Sequence, residues 1–156
     1  MWASQRAYQS RFVAGSFHYL GRFDDPSFFN ASTVNVCSII PVVCGAVSEA
    51  ELAALYANGQ VAVDERRILY NLGYPQPPTE MLCGNDLATS LANSPIRPKK
   101  SKPMDHRFGW IRDGVTRLRF VVGRIAGPDN KSDFFTKPLP VQIFEVASSW
   151  FGTDPL

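Results

Sequence analysis

The hydrophobic pattern is strongest over residues 47–58, a mostly apolar run in which Glu51 stands out. Apolar side chains recur there at helical spacing, and Ser48 is a favourable N-cap residue. The pattern therefore predicts a helix over residues 49–72, with Gly73 capping its end. Apolar residues lie on nearly every side of its first three turns, which is typical of a buried helix. A charge at Glu51 therefore requires a specific role.

Two roles compete for Glu51. In the first, Ser48 and Glu51 form a capping box, in which the glutamate side chain turns back to the Ser48 backbone N–H. In the second, the carboxylate is held over a sheet by the first turn of a central helix and binds a metal ion. The local sequence favours the capping box.

The rest of the chain predicts short strands alternating with helices. Alternating or β-rich segments predict strands over residues 11–20, 34–43, 79–83 and 116–126. Helices are predicted after an N-cap at Gly84 or Asn85, over residues 104–113, between Asp129 and Pro138, and from residue 141 onward. Residues 95–103 contain three prolines and predict a loop. This order predicts a layered, mixed α/β domain.

Composition narrows the class of protein. The 156 residues, 45% hydrophobic and 19% charged, fit one soluble globular domain spanning residues 1–156. A formal charge of +2 is too small to demand a nucleic-acid partner. Since no signal peptide or membrane span is visible, we expect an intracellular protein, cytoplasmic or nuclear, with no membrane partner.

Cysteine and histidine give no metal-binding pattern. Cys37, Cys44 and Cys83 are an odd number in apolar, strand-like surroundings, and none lies in a C-x-x-C motif. We expect reduced thiols in the core rather than a disulfide, a zinc site or a catalytic nucleophile. His18 and His106 lack the spacing of a metal-binding pair.

Four motifs occur in an order and spacing that resemble one protein family. S-E-A-E-L lies at residues 48–52, and L-G-Y-P-Q-P-P-T follows at 72–79. S-K-P-M-D and F-G-W-I-R-D lie within residues 101–113, and the most specific motif, N-K-S-D-F-F-T-K-P-L-P, spans 130–140. Together they resemble the ribonuclease H domain at the C-terminal end of the Pol polyprotein of copia-type retrotransposons.

This resemblance implies a ribonuclease H-like fold, in which helices flank a mixed central sheet. The recognisable core would span residues 11–140, followed by a C-terminal helix at 141–156. The implied activity is metal-dependent hydrolysis of the RNA strand of RNA:DNA hybrids during reverse transcription. An acidic cluster in the family holds two divalent ions, usually Mg²⁺, which activate a water and stabilise the leaving oxygen.

Only half of that acidic cluster is present. Glu51 matches the helix glutamate and Asp133 matches the aspartate of the A-D-x-x-T-K motif, so the resemblance makes both candidate catalytic residues and Mg²⁺ ligands. Gly84 stands where the third acid ends a strand, and Trp2 stands where the first acid is expected. Asp86 is a poor substitute, because the backbone is turning from strand into helix there. We therefore expect hydrolysis to be lost or severely weakened.

Three hypotheses follow. The first is a ribonuclease H domain with decayed catalysis, whose partners would be other parts of a polyprotein. The second is a non-catalytic module of the same fold that binds nucleic acid or a protein. The third is a decayed fragment of an element, with no selected role. If residues 1–10 do not form the first strand, its neighbour has an unpaired edge that promotes self-association.

A basic segment is the candidate nucleic-acid-binding surface. Its members are Arg97, Lys99, Lys100, Lys102 and Arg107. In the family this region lies near the phosphates of a hybrid. A solvated connector kept soluble by its lysines is an equally good interpretation. The chain's tryptophans, Trp2, Trp110 and Trp150, are expected to pack in or near the core rather than stack on bases.

Overall fold

The computed structural model describes residues 2–6, 11–20, 32–41, 43–94, 102–138 and 140–148. The described strands are β1 (Trp2–Arg6), β2 (Arg11–Tyr19), β3 (Ser32–Ile39), β4 (Thr79–Cys83) and β5 (Phe120–Arg124). The described α-helices are α1 (Val47–Asn71), α2 (Asp86–Asn93), α3 (Lys102–Thr116), α4 (Asp133–Thr136) and α5 (Val141–Ser148). The predicted mixed α/β class is confirmed.

The described strands form two small sheets. β1, β2 and β3 pair antiparallel in that order, whereas β4 and β5 pair in parallel. β1 runs from Trp2 opposite Gly15 to Arg6 opposite Arg11. A first strand therefore does form near the start of the chain. Its pairing covers the edge of β2 along residues 11–15, so the unpaired edge expected without that strand does not arise there.

Helix α1 is the central element of the core. It contacts β1, β2, β4, α2 and α3. These contacts explain why apolar side chains occupy nearly every side of its first turns. Its buried residues are Ala50, Glu51, Leu52, Ala53, Ala54, Leu55, Asn58, Gly59 and Ala62.

The end of α1 confirms the predicted glycine cap. Gly73 has a φ of +88°, a conformation that a residue without a side chain adopts readily. The N–H groups of Gly73 and Tyr74 donate to the carbonyls of Tyr70 and Leu69. This pair of hydrogen bonds is a Schellman motif, and it satisfies carbonyls that the helix leaves unpaired.

The start of α1 differs from the prediction. The helix begins at Val47 after the N-cap residue Ala46, so Ser48 lies inside the first turn. The Gly45 N–H instead donates to Glu49 Oε2 at 2.7 Å. The capping box of Ser48 and Glu51 is therefore wrong, because the helix starts two residues earlier than the Ser48 cap requires.

Helices α2 and α3 pack over β5. The Asn85 side chain caps α2 by accepting a hydrogen bond from the Ala88 N–H at 3.0 Å, as predicted. α3 begins at Lys102, within the segment predicted as a loop. Pro103 is compatible with this start, because the first turn of a helix does not need its N–H groups for internal bonds. Phe108 and Ile111 of α3 are buried.

The strand predicted over residues 116–126 is too long. α3 extends to Thr116, and Leu118 then adopts a left-handed conformation with a φ of +55°. The N–H groups of Leu118 and Arg119 donate to the carbonyls of Val115 and Gly114, which ends the helix with a second Schellman motif. β5 can begin only after this turn.

The aromatic and thiol predictions are confirmed in part. The Trp110 ring packs in the core, with its centroid 5.2 Å from that of Tyr56 and 5.6 Å from that of Phe120. Cys44 and Cys83 are buried thiols. Cys37 is exposed, like its neighbours Ser38 and Ile39 at the end of β3, so the core prediction is wrong there. The Trp2 side chain and Trp150 lie outside what the structure describes.

None of the described helices combines the length and the apolar character that crossing a bilayer requires.

Candidate functional site

Glu51 lies where α1 packs against the end of β4. The residue is 1% exposed, and its Oε2 accepts a hydrogen bond from the Cys83 thiol over 3.6 Å. Burial, followed by the nearby Glu51 carboxylate, raises the pKa of the Cys83 thiol to about 11. The thiol therefore keeps its proton at neutral pH and can donate it to the carboxylate. Glu51 thus meets the strand end at which the third family acid is expected.

No carboxylate follows β4 at that position. Gly84 comes directly after the strand, and Asn85 then caps α2. Asp86 begins α2 with a side chain that is 82% exposed, and its Oδ1 accepts a hydrogen bond from Arg124 Nε at 2.6 Å. Asp86 therefore points to the surface, whereas Glu51 is buried, so Asp86 does not replace the missing acid.

Asp133 begins α4, a single helical turn. The helix predicted between Asp129 and Pro138 is therefore shorter than expected, and a separate 3₁₀ turn precedes it at Gly127–Asp129. The Asp133 side chain is 15% exposed. Its Oδ1 accepts a hydrogen bond from Asn130 Nδ2 at 2.8 Å, and its Oδ2 accepts one from Lys137 Nζ at 2.7 Å. Both carboxylate oxygens therefore have donors within the chain.

Helix α4 approaches the three-stranded sheet closely at Gly15 of β2. A Cβ added to Gly15 would lie 2.5 Å from Thr136 Cγ2 and 3.0 Å from the Ser132 carbonyl oxygen. Glycine is required here because any side chain would displace α4. Trp2 pairs with Gly15 across β1 and β2. The backbone of Trp2 is therefore next to Gly15, the strand position that α4 covers.

The described residues do not fit a site for two Mg²⁺ ions. Within the described ranges, no three side chains of histidine, cysteine, aspartate or glutamate are grouped so that they could hold a metal ion. Mg²⁺ prefers near-octahedral coordination by oxygen. Glu51 instead contacts a thiol, and Asp133 contacts an ammonium and an amide N–H.

The predicted basic surface is only partly described. Arg97, Lys99 and Lys100 lie outside the described residues, and so does the side chain of Lys102. Arg107 is half-buried, with its guanidinium carbon 5.7 Å from the centroid of the Tyr56 ring. That contact ties Arg107 to α1 as a cation–π pair.

Two arginines that could extend the basic surface have acidic partners. Arg117 Nε lies 2.8 Å from Asp113 Oδ1, and Arg124 Nε lies 2.6 Å from Asp86 Oδ1. These carboxylates offset part of the positive charge that the two arginines would offer to phosphates.

The structure adds two features that the sequence analysis does not predict. The first is Lys137 as the partner of Asp133; the four-residue spacing typical of an ion pair on a helix is the sequence signal that could have revealed it. The second feature is a groove of about 810 Å³ between β2, α1 and β4. Ser16 Oγ and Asn58 Oδ1, in residues lining it, are buried and have no hydrogen-bond partner among the described residues. No sequence signal indicates a groove formed by such distant segments.

Comparisons with known proteins give one similarity. No family model matches the chain, and no solved structure matches it. The chain is 30% identical over 111 residues to the retrovirus-related Pol polyprotein from transposon TNT 1-94 of Nicotiana tabacum. Those residues are 70% of this chain and 8% of the polyprotein, so the chain spans a small part of the relative that it matches. The similarity supports an origin in a retrotransposon Pol polyprotein.

Proposed function

We propose that the chain is a ribonuclease H-like domain of a copia-type Pol polyprotein that no longer hydrolyses RNA:DNA hybrids. The proposal covers residues 1–156 as one domain, because one core cluster contains residues of both sheets. Ala14 of β2, Leu55 of α1 and Phe120 of β5 all belong to it. The order of three antiparallel strands, a long buried helix and a parallel pair is compatible with a mixed sheet flanked by helices.

The observation that carries the proposal is the position of Glu51. A fully buried carboxylate in the central helix, beside the end of β4, is costly unless it has a role or descends from one. Cys83, whose thiol donates to Glu51, is followed by Gly84, where the resemblance expects an acid. The retained glutamate beside the missing carboxylate supports descent from a hydrolase and loss of its metal site.

Loss of hydrolysis follows from the shortage of carboxylate ligands for the metal ions. Two ions need several converging oxygen ligands to activate water and stabilise the leaving oxygen. At two of the four expected positions the chain has Trp2 and Gly84, which offer no carboxylate. The two remaining acids, Glu51 and Asp133, already accept hydrogen bonds within the chain.

A second candidate function is hybrid binding without cleavage. The observation that favours it is the run of basic residues between positions 97 and 107, in a chain that keeps two of the four expected acids. Positive charge on a solvated segment attracts phosphates whether or not a catalytic centre is present.

The experiment compares the unaltered protein with Glu51→Gln for cleavage of a labelled RNA:DNA hybrid in Mg²⁺. We expect the same background rate from both, because Glu51 no longer serves a metal site. Circular dichroism verifies that the variant is folded. A large drop in a genuine cleavage rate on changing Glu51 would overturn the proposal.

A further inference from the structure

Side-chain contacts join Asp133 to Asn130 and Lys137, and these three residues are called here the Asp133 cluster. Besides its donation to Asp133, the Asn130 side chain accepts a hydrogen bond from the Ser132 N–H at 3.3 Å. Asn130 is 4% exposed. The cluster therefore joins side chains before, at the start of and just after the α4 turn, and ties them to the Ser132 backbone that directly precedes it.

The ion pair in the Asp133 cluster is partly buried. The side chains of Lys137 and Asp133 are 27% and 15% exposed, whereas those of the surface pair Arg117 and Asp113 are 62% and 49% exposed. Solvent and salt screen a pair less when it is sheltered from water. The Lys137–Asp133 pair should therefore matter more than the surface pair, although both join residues four apart.

Helix α4 needs such anchors. It has four residues, fewer than an isolated helix requires to be stable in water. It is held against the sheet at Gly15 and by the Cys37 thiol, which donates to the Phe135 carbonyl at 3.1 Å. The Asp133 cluster lies at the first turn of this docked segment, so its charge balance bears directly on the docking of α4.

We propose that Lys137 is the permanent counter-ion of Asp133 and makes the docking of α4 independent of divalent metal. The ammonium supplies, from within the chain, the positive charge that a partly buried carboxylate requires. Asp133 thereby acts as a positioning residue for α4 rather than as a metal ligand. The inference rests on the contacts of the Asp133 cluster and holds whether or not the chain binds a hybrid.

Binding of a divalent ion to the Asp133 carboxylate is unfavourable. Mg²⁺ would have to displace the Lys137 ammonium from Oδ2 and give up part of its own hydration shell. The Asn130 side chain presents an amide N–H to the other oxygen, and an N–H group repels a cation. Metal binding to the folded state, if it occurred, would raise the thermal midpoint.

The test measures the thermal midpoint of unfolding for the intact protein, Lys137→Met and Arg117→Met. Each is measured with about 10 mM MgCl₂, with MnCl₂, and with NaCl at matched ionic strength. Lys137→Met keeps much of the side-chain length and removes the charge. Arg117→Met is the matched control, since it breaks a pair of the same spacing on the exposed surface. Lys137→Arg keeps the charge and reports rescue.

We expect the midpoint of the intact protein to be the same in the divalent salts and in NaCl. Lys137→Met should lower it by about 3 °C or more, Arg117→Met by less than about 1 °C, and Lys137→Arg should restore most of the loss. A divalent-specific rise in the intact protein would overturn the proposal. So would a Lys137→Met midpoint no lower than that of Arg117→Met. If Lys137→Met does not fold, failure of Lys137→Arg to fold as well would overturn it.

Discussion

Leu118 is the one non-glycine residue with a positive φ among those that the structure describes, at +55°. It occupies the position after the α3 C-cap, where glycine is usual. Its Cβ crowds the backbone in the left-handed conformation, and its side chain is 68% exposed, so it gains little from burial. We predict that Leu118→Gly raises the free energy of unfolding by about 1 kcal/mol, measured by chemical denaturation.

Leu118→Ala is the control for that prediction. Alanine keeps the Cβ and hence the strain, so its stability should stay close to that of the unaltered protein. Equal stabilities of the glycine and alanine variants would show that Leu118 is not strained.

The raised pKa of Cys83 predicts how the stability of the protein changes with pH. Burial first and the Glu51 carboxylate second raise its pKa from 9.0 to about 11. Below pH 9 the thiol is protonated in both the folded and unfolded states, so its full contribution to stability is present. Between pH 9 and pH 11 the unfolded state loses the proton first, and the contribution of Cys83, about 2 kcal/mol, is lost.

The measurement for Cys83 is the difference in free energy of unfolding between the unaltered protein and Cys83→Ala across that range. Other titrating groups cancel in the difference. The advantage of the unaltered protein should shrink by about 2 kcal/mol as the pH rises from 9 to 11. A difference that stays constant would mean that the thiol is not sheltered by α1.

At the residue scale, the sequence identified Glu51 but not its surroundings. A carboxylate in an apolar helical run stands out from spacing alone. Its contact with Cys83 joins positions 32 apart and depends on how α1 packs on β4. The capping box failed because local pattern does not fix a helix start to within two residues.

At the element scale, α3 carries two glycines with opposite surroundings. A Cβ on Gly114 would lie 2.4 Å from Phe120 Cδ2, in the core, whereas one on Gly109 would have no atom of the described residues within 4 Å. We predict that Gly114→Ala lowers the free energy of unfolding by about 2 kcal/mol through overpacking. Gly109→Ala should raise it by about 0.5 kcal/mol, because alanine is the better helix former.

The measurement for α3 is urea denaturation of both variants. The free energy of unfolding should depend on urea concentration with the same slope in both, so that their midpoints can be compared. Gly109→Ala is the matched control, since it makes the same chemical change in the same helix. A Gly114→Ala variant as stable as Gly109→Ala would mean that α3 does not pack against Phe120 as closely as described.

Elements were predicted more reliably than their ends. The α1 run, the Gly73 cap and the Asn85 cap each have a local signal that the structure confirms. The end of α3 has no such signal, because Leu118 is not a residue that sequence rules place in a left-handed turn. The alternation of apolar and basic residues therefore extended the predicted strand back into the helix.

At the scale of the whole molecule, charge gives a prediction for hybrid binding. If the basic segment contacts phosphates, the logarithm of affinity should fall linearly with the logarithm of salt concentration. Changing both Lys99 and Lys100 to alanine should reduce that slope by roughly 2, since each phosphate contact contributes a little under 1. Fluorescence anisotropy of a labelled RNA:DNA hybrid at several salt concentrations measures the slope.

Arg67→Ala is the control for the salt dependence. Arg67 is exposed on α1 and lies 3.0 Å from Asp64, far in sequence from the basic segment. Its loss should leave the slope unchanged. If the double lysine variant also left the slope unchanged, the segment would be a solvated connector, which is the other interpretation of its lysines.

The most direct test of the central claim is cleavage of a labelled RNA:DNA hybrid, in Mg²⁺ and separately in Mn²⁺. We predict no cleavage above background by the unaltered protein, and none by Gly84→Asp alone, because the Trp2 position still lacks an acid. The combined Trp2→Asp and Gly84→Asp variant supplies both missing carboxylates, but Asp133 remains paired with Lys137 in it, so we expect no metal-dependent cleavage from it either. Metal-dependent cleavage by the unaltered protein, abolished by Glu51→Gln, would contradict the account.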